Sequence, residues 1–118
     1  MEENVKILSK VESVKQKLED EENIFNLSEF FKVIGDSTRT KILYCLEKED
    51  LLVGEIAEIL GMSLSAVSHQ LCVLKKAKLV SHKKLGKEVR YSLSDFHVIS
   101  ILESAMDHVL GKNCKSRR

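Results

Sequence analysis

Between residues 54 and 77 the apolar positions fall at helical spacing in two short blocks separated by a glycine. Ile56, Ala57, Ile59 and Leu60 form one apolar face, and Ala66, Val67, Leu71 and Leu74 form the next. Gly61 can take the left-handed conformation that ends a helix. Ser63 can cap the second helix through a hydroxyl that accepts a backbone N–H. Ser65, Ser68, His69 and Gln70 are left for the outer faces. The pattern predicts a helix-turn-helix, in which the start of the second helix enters the DNA major groove. An ordinary helical hairpin with a polar outer face has the same local pattern, and the residues beyond Gln70 separate the two.

After Ala77 the period changes from helical to alternating. Residues 79–82 and 88–93 read as strands, with Val89, Tyr91 and Leu93 alternating with Arg90 and Ser92. Gly86 is the turn residue between them, and Lys83, Lys84 and Lys87 sit at the tip. A hairpin directly after a reading helix is a wing. Upstream, residues 2–22 read as a charged amphipathic helix with Ile7, Val11, Val14 and Leu18 in one seam. That seam fits packing on its own domain as well as packing on a partner subunit. An acidic break at 20–23 precedes a helix over 27–34 with Phe30, Phe31 and Ile34 as core. A helix over 38–46 follows, capped by Asp36 or Ser37, with Ile42, Leu43 and Leu46 inward. The last helix, 95–110, is apolar around more than half its circumference, as expected of a helix that is deeply buried or lies at a subunit interface.

The expected fold is therefore mainly α with a small β-hairpin, a winged helix-turn-helix in one domain over 1–118. Its parts are an N-terminal helical arm (1–23), the helix-turn-helix (54–77), the wing (79–93), a C-terminal dimer helix (95–110) and a basic tail (111–118).

A net charge of +1 does not by itself announce a nucleic-acid binder, but its distribution does. Residues 63–94 hold Lys75, Lys76, Lys78, Lys83, Lys84, Lys87 and Arg90 against Glu88 alone. Cys45, Cys72 and Cys114 are scattered, odd in number and form no CxxC pair, which fits a reduced, cytoplasmic setting. No apolar run approaches membrane length, so no membrane partner is expected. There is no Gly-rich phosphate loop and no HExxH, so an enzyme is not expected.

His97 and His108 lie eleven residues apart on the last helix. At about 100° per residue they point to the same face, and at about 1.5 Å per residue they are roughly 16 Å apart. One ion cannot bridge that span, because Zn–N bonds are about 2.0–2.1 Å. Two antiparallel copies of the helix would bring Asp95 and His97 of one chain to His108 of the other, twice by symmetry. Oxygen and imidazole donors suit zinc, with cobalt or nickel as alternatives. A helix cap at Asp95 and two surface histidines account for the same residues.

IGDSTRTKIL (34–43), LLVGEIAEILGMSLSAVSHQL (51–71), LKKAKLVSHKKLGKEVRYSLSD (74–95) and DFHVISILESAMDHV (95–109) together resemble the ArsR/SmtB family of winged-helix, metal-responsive repressors, in particular its zinc-sensing branch. The resemblance implies a homodimer with N- and C-terminal dimerisation helices and metal sites across the paired C-terminal helices. Asp95 and His97 match the family's Asp-x-His pair, and His108 matches the ligand from the other subunit. The usual fourth ligand is replaced by Gly111, so that a water, Cys114 or Asp107 would complete the shell. Cys114 would extend the range to cadmium. The cysteine-type site of other members has no counterpart, since the chain reads Leu52-Val53-Gly54 there. The resemblance further implies a hydrogen bond from liganded His108 to backbone near Lys78.

The expected function is a repressor released from its operator, an imperfect inverted repeat, by a divalent metal. Ser63, Ser65, Ser68, His69 and Gln70 are the expected DNA face, with Gln70 suited to adenine. Lys83, Lys84, Lys87 and Arg90 would add salt-dependent affinity. Two alternatives share the fold: a thiol-based persulfide or redox sensor using Cys45, Cys72 or Cys114, and a winged-helix module with no ligand.

Overall fold

Local chemistry sets the helix boundaries. The computed structural model of the protein describes residues 2–111, and side chains from Ser9 onward. Cys114 and the basic tail lie outside the described residues, as does the Ile7 side chain of the N-terminal seam.

Among the described residues, 2–31 and 32–111 form separate compact units. The first contains α1 (Glu2–Lys17) and most of α2 (Glu21–Ile34). The expected helix over 2–22 thus ends early, and the one expected from residue 27 starts six residues sooner. The acidic run read as a break is a helix start: the Asp20 carboxylate accepts the Asn23 N–H at 2.8 Å, and its carbonyl accepts that of Ile24 at 3.0 Å. Glu21 and Glu22 then lie in the first turn, where the helix dipole favours acidic groups. Val11, Val14, Leu18, Phe25, Leu27 and Phe31 are all exposed, so Phe31 is not the core residue the spacing suggested. Phe30 packs edge-on against it, with ring centroids 5.6 Å apart.

The second unit carries α3 (Ser37–Lys48), α4 (Val53–Leu60), α5 (Leu64–Lys76) and α6 (Phe96–Leu110), with strands β1 (Leu51–Leu52), β2 (Val80–Leu85) and β3 (Glu88–Leu93). Asp36, Ser63 and Asp95 cap α3, α5 and α6, each accepting a backbone N–H three residues on. Glu55 caps α4 from inside, accepting the Leu52 N–H at 2.8 Å.

The turn of the helix-turn-helix is a Schellman motif. Gly61 adopts φ +65°, its N–H reaches the Glu58 carbonyl, and the Met62 N–H reaches that of Ala57. Beyond α5 the same motif recurs with Lys78 in the glycine position, at φ +61°. There Lys78 N–H bonds the Lys75 carbonyl and Leu79 N–H that of Leu74, both at 2.9 Å.

The antiparallel sheet has the order β1-β3-β2. The hairpin is longer than expected on its first side, running to Leu85, and closes through Gly86-Lys87 with Leu85 opposite Glu88. Gly86 has φ +64° and Lys87 has no positive φ, the pattern of a II′ hairpin turn. β1 was not expected. Two residues carry no strand period, and Leu51 and Leu52 are extended because they pair with Tyr91 and Arg90.

The core is built from Ile42, Leu43 and Leu46 of α3, Ile56 and Ala57 of α4, and Val67, Leu71 and Leu74 of α5. Leu79, Val80, Leu93, Val98 and Leu102 close it, and no polar side chain is buried among the described residues. Every helix of the helix-turn-helix is thus anchored on α3, leaving the polar side of α5 to solvent.

Candidate nucleic-acid interface

The outer face of α5 starts from its cap. Ser63 Oγ accepts the Ala66 N–H at 3.1 Å and lies 3.4 Å from Ser65 Oγ, so Ser63 is committed to the helix while Ser65 stands beside it. Ser65, Ser68 and His69 are exposed. Leu64, which the spacing did not single out, is also exposed at 59%. Cys72, one turn beyond Ser68 and His69, is exposed as well.

Gln70 sits differently. It is half-buried, and its Oε1 accepts a hydrogen bond from Arg39 Nη1 at 3.3 Å. The Arg39 Nε also donates to the Val33 carbonyl at 2.8 Å. That bond takes one of the two lone pairs of the Gln70 oxygen and leaves both amide N–H donors. The bidentate contact to adenine uses one amide N–H and the amide oxygen, which Gln70 would share between Arg39 and the base. Arg39 is the residue sequence reasoning missed. Its contact spans 31 positions, and nothing in the spacing signals it.

The wing presents its charges on two faces. Val80 and Leu93, both buried, pair across the ladder and mark the inner face, which His82 with Tyr91 and Lys84 with Val89 continue outward. Ser81 with Ser92, Lys83 with Arg90 and Leu85 with Glu88 lie on the outer face. Lys83 and Arg90 are directly opposite each other, a like-charge pairing that disfavours the hairpin unless an anion lies over it. Lys87 occupies the turn itself, and Lys83, Lys84 and Lys87 are exposed while Arg90 is half-buried. Behind the wing, the His82 and Tyr91 rings are 5.6 Å apart, and Lys75 Nζ lies 3.5 Å from His82 Nε2.

The other expected ligands lie on α6. Asp95 Oδ1 accepts the Val98 N–H at 3.0 Å, so the capping reading of Asp95 is correct for this chain alone. His97 Nδ1 is 3.8 Å from the same oxygen, with side chains 89% (His97) and 57% (Asp95) exposed. His108 is exposed near the other end, Asp107 is half-buried, and Gly111 ends the helix at φ +73°. Among the described residues of one chain, no three His, Cys, Asp or Glu side chains converge on a common point. Between the histidines, the same face of α6 exposes Ile101, Ser104 and Ala105.

Of the cysteines, Cys45 is half-buried in α3, and that burial pushes its thiol pKa up. Burial, with a smaller contribution from Cys72, also raises the Tyr91 phenol.

Residues 36–82 match the family model described as bacterial regulatory protein, arsR family. A transcriptional repressor SmtB homolog of Synechocystis sp. is 32% identical over 102 residues, covering 86% of this chain and 77% of that protein. The chain belongs to the ArsR family. A Staphylococcus aureus CadC homolog, named a cadmium resistance transcriptional regulatory protein, is 39% identical over 88 residues, covering 74% of this chain and 73% of its own length. HlyU of Vibrio cholerae superposes with a TM-score of 0.71 at 30% identity, over 77% of this chain and 99% of that one. As an ArsR-family member the protein is a winged helix-turn-helix transcriptional regulator that binds operator DNA. Its relatives are regulators, not enzymes. No single described helix is long and apolar enough to cross a membrane.

Proposed function

We propose that this ArsR-family repressor is released from its operator by a divalent metal, zinc first and cadmium, cobalt or nickel as alternatives, held across the dimer by Asp95 and His97 of one protomer and His108 of the other. The observation that carries this reading is the exposed face of α6. Asp95 and His97 sit 3.8 Å apart at one end, and His108 lies at the other. Small or apolar exposed residues between them allow a second copy of the helix to approach closely. Antiparallel pairing of two such faces brings each Asp95–His97 pair to a His108. Exposed Phe96, Val109 and Leu110 offer further apolar surface for the partner to cover.

When bound, the metal supplies a positively charged cross-link between the two α6 helices. Asp95 keeps its Oδ1 on the Val98 N–H and has Oδ2 free to bind. His97 and His108 would each hold the ion through one ring nitrogen, leaving the other to donate elsewhere. Gly111 brings no side chain to the shell, so the fourth donor is a water, Asp107 or Cys114.

On the DNA side, Ser65, Ser68 and His69 read bases in the major groove, and Ser63 holds the helix start. Gln70 and Arg39 fix the tilt of α5 on α3. Lys83, Lys84, Lys87 and Arg90 bind phosphates without reading sequence. The setting that suits these ligands and reduced thiols is the cytoplasm.

The test is substitution of one ligand at a time. His97→Ala and His108→Ala dimers are expected to bind operator as wild type does and to ignore zinc. Normal release of either variant by zinc would exclude the site. The raised pKa of Cys45 lowers its thiolate fraction, which disfavours a thiol sensor built on that residue.

A further inference from the structure

The α5–β2 corner is held in a conformation that its residue disfavours. Lys78, at φ +61°, is the one non-glycine residue with positive φ among the described residues. A left-handed residue other than glycine is disfavoured by its Cβ, so the corner persists because its surroundings fix it. The fixing residue is Ser94. Its Oγ donates to the Lys78 carbonyl at 2.7 Å, and its backbone N–H donates to the next carbonyl, that of Leu79, at 3.0 Å. Leu79 itself is fully buried, so the corner cannot shift without disturbing the core.

Ser94 is also the residue before the α6 cap. Asp95 follows it directly, with its carboxylate on the Val98 N–H and its carbonyl on the Ile99 N–H at 3.1 Å. One residue therefore grips the end of the reading helix with two hydrogen bonds and sets the position of the first turn of α6. We propose that Ser94 is a positioning residue that couples the DNA-reading helix to the start of α6 within one chain, through its hydroxyl on the Lys78 carbonyl. The backbone bond to Leu79 does not depend on the side chain and survives Ser94→Ala and Ser94→Thr. The hydroxyl bond is the part of the grip that the side chain supplies. This route is separate from the hydrogen bond that the family resemblance implies from a liganded His108 to backbone near Lys78. Its link to metal rests on the proposed Asp95–His97–His108 site, but the coupling of DNA to α6 does not.

The test is amide hydrogen exchange at Val98 and Ile99 in the metal-free dimer, with and without an operator selected from random DNA. In wild type, operator binding holds α5 and slows exchange at both amides, by roughly 2- to 10-fold for one hydrogen bond's worth of coupling. Ser94→Thr keeps the hydroxyl and is expected to respond like wild type. Ser94→Ala is expected to lose most of the response while binding DNA with near-normal affinity. A response in Ser94→Ala equal to wild type, or no response in wild type, overturns the inference. Zinc added to the same three proteins separates the coupling from the metal site. Weaker zinc-driven release in Ser94→Ala than in Ser94→Thr supports the coupling. A wild type that shows the exchange response but keeps its operator in zinc contradicts the metal site alone.

Discussion

Ser63, Asp36 and Asp95 are the residues at which the sequence was easiest to read. A capping side chain acts on an N–H three residues away, so its chemistry is written locally. Ser63→Ala is expected to cost about 1 kcal/mol of stability, seen as a lower thermal midpoint in circular dichroism. Gly61→Ala should cost a similar amount, because the turn holds φ +65° where a Cβ is strained. Arg39 and Gln70 were not legible in the same way. Their contact joins two helices 31 residues apart, and only the packed structure shows that the Gln70 oxygen accepts from Arg39. The thiols behave as burial dictates. Desolvation disfavours the Cys45 thiolate, so at pH 8 Cys72 should alkylate with iodoacetamide well before Cys45. Mass spectrometry of a time course checks this order.

Among elements, the helix-turn-helix and the second wing strand follow directly from period and punctuation. The first wing strand was set too short, because Lys83 and Lys84 read as turn residues although they pair with Arg90 and Val89. α2 began earlier than expected because Asp20 works as a cap, where an acidic run alone suggests a break. β1 exists by pairing only. The wing also makes a prediction in which stability and function move in opposite directions. Replacing both Lys83 and Arg90 by Gln removes a like-charge pair and should leave the fold equally or slightly more stable. The same change should weaken DNA binding about equally for all sequences and reduce the slope of log affinity against log salt by about 1 per residue. Binding isotherms at several salt concentrations, beside a thermal melt, measure both.

For the whole molecule, exposed apolar surface on α1, α2 and α6 is what one chain cannot satisfy. Val14, Leu18, Phe25, Phe31, Ile101, Val109 and Leu110 are each more than 40% exposed, as suits the proposed homodimer. The family resemblance implies that dimer, and the proposed metal site needs it, since His97 and His108 on one helix are too far apart for one ion. The proposed ligands Asp95, His97 and His108 are thus legible as residue types and spacing. Their convergence was not, because it depends on a second copy. Ile101→Lys places a charge between the two histidines on the exposed face. It is expected to shift the dimer toward monomer in sedimentation and to lose at least tenfold in operator affinity, since two half-sites are no longer bound together.

If the α6 face is a metal site that controls DNA binding, zinc must displace the operator, and fluorescence anisotropy reads that displacement. A labelled operator, selected from random DNA, is bound by the dimer at fixed salt while zinc is titrated in. Loss of operator affinity at micromolar zinc or below, absent in His97→Ala and His108→Ala, is the expected result. Tight binding indifferent to zinc, cadmium, cobalt and nickel would contradict the metal site and leave a regulator governed by its thiols or by no ligand.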